Sequence, residues 1–82
     1  MGDELLKTTF GPGERGEPVV ARSGVPVWTI AGYLKLFGWD TDKVVEEFDG
    51  VLTRDEVGAA REYYKEHDKE IDQKLLVNQW VA

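Results

Sequence analysis

The chain has no cysteine, a single histidine and a single methionine among its 82 residues. Without thiols, disulfides and thiolate metal sites are excluded, so stability rests on packing and hydrogen bonding alone. One imidazole cannot form a histidine cluster, and no nucleophile–base pair or ligand cluster can be assembled around His67; we therefore expect no enzyme, no metal and no cofactor. Long hydrophobic runs are missing too. The longest largely apolar stretch, Val25 to Ala31, is far too short to span a bilayer, and no signal-peptide pattern precedes it, so a cytoplasmic protein is expected. Positive charge is the last shortage: ten Lys and Arg stand against sixteen Asp and Glu, a net charge of −6. Residues 40–72 hold twelve of the acids and five of the bases, which is −7 in that segment alone. A surface of this sign repels phosphate, whereas nucleic-acid binding rests on a basic footprint.

What the chain does have is two helix starts close together. Asp40 is placed as an N-cap for the turn beginning at Thr41, with Asp42 adding charge that the helix dipole favours. Val44, Val45 and Phe48 then form one apolar stripe. After an Asp49-Gly50 turn, Thr53-Arg-Asp-Glu56 matches a capping box, and Val57, Ala60 and Tyr64 give the second helix a buried face. Two capped helices joined by a short Gly-containing turn predict a helix-turn-helix.

The amino-terminal third is rich in breakers. Leu5 to Phe10 suits a short strand. The loop from Gly11 to Pro18 cannot be helix interior, and it lacks the Lys-Ser/Thr of a phosphate-binding loop, so it is read as a connector. Pro18-Val-Val-Ala21 and Val25-Pro-Val27 flank Arg22-Ser-Gly24 and predict a small hairpin. An isolated hairpin is marginal in water, which suggests pairing with a second subunit through Val19, Val20, Val25 and Val27. We thus expect residues 1–17 to be a flexible or partly extended arm and 18–82 a single domain with a leading hairpin. A very apolar helix starts near Pro26, with Val27, Ile30, Ala31 and Leu34 on its central stripe, and Gly38 stops it. A break or kink is expected over residues 65–68, before a last helix carrying Ile71, Leu75, Leu76, Asn78, Trp80 and Val81.

Taken in order, Val25-Pro-Val-Trp-Thr-Ile30, Gly32-Tyr-Leu34, Val44 with Phe48, Leu52-Thr53 with Val57, Ala59-Ala60, Tyr63-Tyr64 with Glu66-His67, and Glu70-Ile-Asp72 resemble domain-of-unknown-function family 433, small prokaryotic proteins grouped with VapB-like antitoxins. The resemblance covers residues 17 to 72. It implies a mainly α fold: an N-terminal β-hairpin arm that assembles dimers, a homeodomain-like three-helix core and a C-terminal helix. It also implies the antitoxin half of a type II toxin–antitoxin pair, one that binds and inhibits a PIN-like ribonuclease toxin and, as a dimer, represses its own operon. Three departures stand out. Arg22-Ser23-Gly24 lacks a basic residue of the family's Arg-Gly-Thr-Arg, Arg61 replaces an apolar residue, and Asp68 replaces a frequent Pro.

These readings define three sets of candidate residues. If the second helix of the pair reads operator DNA, Thr53, Arg54 and Arg61 face the groove with Gly58 on the same face, and Arg22 adds a contact from the arm. If the last helix docks on a toxin, Ile71, Leu75, Leu76 and Trp80 supply the apolar contact, and Lys69 or Lys74 approach the acidic metal site of the nuclease. The dimer arm is the valine set above. The bland readings are a packing role for His67 and a solvated face for Glu46 and Glu47. Asp55 and Glu56 have clear duties at a helix start, which outweigh a carboxylate metal site. An antitoxin-like binding protein is the preferred function, and a free-standing DNA-binding regulator with a helix-turn-helix is the alternative.

Overall fold

The computed structural model describes residues 10–12 and 18–78. The architecture is mainly α, with a short hairpin leading into a three-helix core. Strand β1 (Phe10–Pro12) and strand β2 (Pro18–Val20) pair antiparallel, with Phe10 opposite Val20, Gly11 opposite Val19 and Pro12 opposite Pro18. Helices α1 (Val27–Leu36), α2 (Thr41–Glu47) and α3 (Arg54–Val77) follow.

The hairpin partner differs from the expected one. Pro18 to Val20 is a strand, but its main partner comes from the segment read as a loose arm, and Val25-Pro-Val27 contributes only the isolated bridge of Val19 with Pro26. Two backbone bonds close the intervening turn: Gly24 N–H donates to the Val20 carbonyl at 2.7 Å, and Val20 N–H to the Val25 carbonyl at 2.8 Å. Gly24 takes the left-handed φ of 78° that this turn needs, a conformation costly for any residue with a Cβ. Pro26, in extended conformation, then delivers the chain straight into α1, so Val27 becomes helical rather than a strand end. Of the expected Leu5–Phe10 strand only Phe10 lies among the described residues.

Both predicted caps form. The Asp40 carboxylate accepts from Lys43 N–H at 3.2 Å, and Thr53 and Glu56 form a reciprocal capping box. Between α1 and α2 the chain reverses through consecutive left-handed residues, Gly38 at φ 66° and Trp39 at φ 68°. Asp49 at φ 48° and Gly50 at φ 85° form the turn after α2. The second helix and the last helix of the sequence reading are one element bent at His67, whose φ of −129° and ψ of 32° leave the helical region. The expected break or kink is there, as a bend at His67.

Val20, Val27, Ile30, Leu34, Leu52 and Val57 are fully or almost fully buried, and together they join the hairpin, α1, the α2–α3 turn and α3 into one core. Each such side chain contributes about 1.5–3 kcal/mol by leaving water. Around this centre the aromatics fasten the periphery. Tyr33 of α1 meets Phe48 edge-to-face at 5.0 Å, and Phe10 of β1 meets Tyr63 of α3 at 5.6 Å. The strand pair, too short to stand alone, is thus held from below by its own chain.

Candidate functional site

The exposed face of α3 and the turns that fix its start are where the candidate residues converge. Arg22, at the hairpin turn, forms a fork on Glu56: Nε donates to Oε2 at 3.0 Å and Nη2 to Oε1 at 2.7 Å. Nη2 also donates to the Val51 carbonyl at 2.7 Å. Glu56 in turn accepts Thr53 N–H at 2.8 Å, while Thr53 Oγ1 accepts Glu56 N–H at 3.1 Å. One guanidinium therefore binds the hairpin, the α2–α3 turn and the first turn of α3 together. The Arg22 hydrogen bonds are the main reason the Glu56 carboxyl sits below its ordinary pKa, outweighing the opposite effect of burial. Planar, paired donors suit arginine to this role, and lysine does not replace it.

This arrangement alters the DNA-binding set. Arg22 is occupied by Glu56, and Thr53 is occupied by the cap. Arg54 pairs with Asp42 of α2, Nε to Oδ1 at 3.2 Å, with both side chains largely in water. Arg61 is exposed and makes no ion pair with any described residue. Of four residues expected at a groove, one is unoccupied, and Asp55 and Glu62 lie exposed beside it on the same helix.

Beyond the kink a second set of contacts holds α3 to α1. Lys35 Nζ donates to Asp72 Oδ1 at 2.6 Å, the Tyr64 hydroxyl donates to the same oxygen at 2.9 Å, and the Lys35 ammonium lies 5.1 Å from the Tyr64 ring centroid. Trp39 also packs against Tyr64, at 5.1 Å between centroids and tilted by 45°. Lys35 holds the Asp72 carboxyl below its usual range, and burial pushes the Tyr63 and Tyr64 phenols up. At the bend, the His67 ring stacks on Tyr63 at 4.2 Å, with Nδ1 3.6 Å from Glu70 Oε2. A packing role is what this geometry gives His67.

The toxin-binding set divides. Ile71 and Leu75 are 4% and 6% exposed and belong to the core of this chain, which removes them from a partner surface. Leu76 and its neighbour Val77 are 74% and 66% exposed on the opposite side of the helix. Val77 is legible only in the structure, because helical spacing alone gives no sign that a residue beside the Ile71 and Leu75 stripe stays exposed. Lys69 and Lys74 are exposed along the same segment, and Trp80 lies outside the described residues. The dimer-arm set is corrected in the same way. Val20 and Val27 are fully buried in the single chain, and β2 already has β1 on one side and Pro26 on the other, so these valines offer no free strand edge; Val19 and Val25 are half-buried.

No group of three or more His, Cys, Asp or Glu suited to a metal ion occurs among the described residues, and no described helix is long and apolar enough to cross a membrane. No curated protein and no solved structure matches the chain at a significant level. A family model does, over residues 14–64, from just before β2 to a point just short of the bend at His67. The matched segment holds β2, the Arg22–Glu56 fork, α1, α2 and the straight first half of α3, while Leu76 and Val77 lie beyond it. The chain belongs to the family described as Protein of unknown function (DUF433).

Proposed function

We propose that this protein is an antitoxin-like binding protein, which docks the end of α3 on a PIN-like ribonuclease and holds it inactive. One observation carries the reading. Past the bend, α3 keeps one face in the core through Ile71 and Leu75 and presents Leu76 and Val77 side by side to solvent. Covering two such side chains on a partner is worth about 1.5–3 kcal/mol each, enough to anchor an interface but of no use to the isolated chain. Exposed Lys69 and Lys74 on the same segment complement a nuclease whose metal site is acidic. The engagement of Arg22 and Arg54 within the fold, and a net charge of −6, favour a protein over a nucleic acid as the primary partner.

Co-expression with the product of the neighbouring gene tests this. A nuclease that co-purifies silent and becomes active when separated is the expected result, and Leu76→Glu with Val77→Glu should abolish co-purification while leaving the circular dichroism unchanged. The second reading, a free-standing regulator, draws on the exposed Arg54 and Arg61 of the helix-turn-helix. Failure to capture any nuclease, together with salt-dependent binding of the chain's own promoter fragment, would put that reading first.

A further inference from the structure

We infer that two copies of this chain associate in parallel through the exposed face of the first half of α3, the helices crossing at Gly58. The inference does not depend on the antitoxin reading, because it uses the other half of the helix.

Gly58 is the first observation. It sits inside α3, its φ is not in the left-handed region, and a Cβ built on it meets no atom of the described residues within 4 Å. Neither backbone conformation nor packing among the described residues calls for glycine here, and glycine weakens a helix by about 1 kcal/mol relative to alanine. What glycine does supply on a helix face is the close approach of another backbone.

The second observation is the distribution of charge around that gap. Helical periodicity places Arg54 and Arg61 on one flank of Gly58, and Asp55 and Glu62 on the other. All four are exposed. Lys65 and Glu66, both exposed, extend the basic and acidic strips up to the bend. Intrachain pairing uses little of this charge. Arg61 and Asp55 make no ion pair among the described residues, Glu62 has only a 3.5 Å contact with Lys65, and the Arg54–Asp42 pair is well hydrated.

A basic strip beside an acidic strip suits nucleic acid poorly, because the acidic side faces phosphate. It suits a second copy well, and symmetry selects the orientation. A two-fold axis parallel to the helices lays the basic flank of one copy against the acidic flank of the other, Arg61 facing Glu62 and Arg54 facing Asp55 of the second copy. An antiparallel two-fold would set basic against basic, so the sign pattern excludes it. Val57 and Ala60, on the opposite side of α3, are buried in each core, so the two bodies lie outside the contact. Charge and backbone proximity dominate the interface, and the association is accordingly reversible and sensitive to salt.

The experiment is sedimentation equilibrium of the full chain across a concentration series at low and high salt, with circular dichroism as a fold control. The wild type should dimerise at low salt and dissociate at high salt. Arg61→Glu, which sets Glu against Glu62, should raise the dissociation constant about tenfold or more, and adding Glu62→Arg should restore it by exchanging the strips. Gly58→Leu should also weaken association without loss of helix, since a Cβ there meets none of the described residues. A wild type that stays monomeric at low salt, or a dimer indifferent to both Arg61→Glu and Gly58→Leu, would overturn the inference. So would failure of the exchanged pair to recover when its circular dichroism is native. A monomer that binds its promoter fragment through Arg61 would return this face to DNA and overturn it equally.

Discussion

Glu56 shows how much a single buried carboxylate can organise in a small chain. Its oxygens accept from Thr53 N–H and from two nitrogens of Arg22, so losing the charge weakens the helix cap and the hairpin anchor together. Glu56→Gln should lower stability in urea denaturation by about 1–2 kcal/mol at neutral pH. The pH dependence has a definite sign. The folded state holds the Glu56 and Asp72 carboxyls below their ordinary values, so the unfolded chain binds more protons in acid. Their contribution is full above the unfolded glutamate value of about 4.3 and is lost as pH falls through the lower folded values. Glu56→Gln should therefore also flatten the acid limb of the stability curve. Val20 gives a sharper expectation. Being fully buried beneath the hairpin, it cannot accept a charge, and Val20→Lys should unfold the single chain, visible as lost ellipticity. A folded monomer from that variant would instead place Val20 at an interface.

At the scale of elements, α3 is two half-helices with different tasks. The first half is fixed by the capping box and the Arg22 fork. The second is held by Ile71, Leu75 and the hydrogen bonds of Asp72 to Lys35 and Tyr64. Asp72→Asn removes the charge that binds Lys35, and native-state hydrogen exchange should show faster exchange beyond His67 with little change in α1 or the first half of α3. Uniform acceleration along α3 would mean that the bend does not separate the halves. Gly58→Ala isolates the helix cost from any effect of association. In dilute solution and high salt, where copies are apart, it should raise stability by up to about 1 kcal/mol, read from the urea midpoint.

For the molecule as a whole, the balance of charge and apolar surface decides what it can meet. The chain is acidic, Arg22 at the hairpin and Arg54 after the α2–α3 turn are engaged internally, and the most exposed large apolar side chains among the described residues sit at the end of α3. The proposal of a protein partner rests on this distribution. The local devices were legible from residues alone. Asp40, the Thr53–Glu56 box, the stop at Gly38 and the interruption near His67 all follow from short-range chemistry, in which a side chain serves a backbone three or four residues away. The helical periodicity likewise marked Val27, Ile30, Leu34, Val44 and Val57 for the core. The partner of β2 was not legible, because either flanking segment can hydrogen-bond to a three-residue strand, and the choice depends on Pro26 entering α1. Nor was the fork of Arg22 on Glu56, or the bond of Lys35 to Asp72, since nothing in the sequence relates residues 34 and 37 positions apart. The sequence by itself determined the caps, the turns and the apolar stripes. Only the tertiary structure decided which charges are consumed within the chain and which apolar residues of the last helix remain exposed, because burial and ion pairing are set by packing between distant segments.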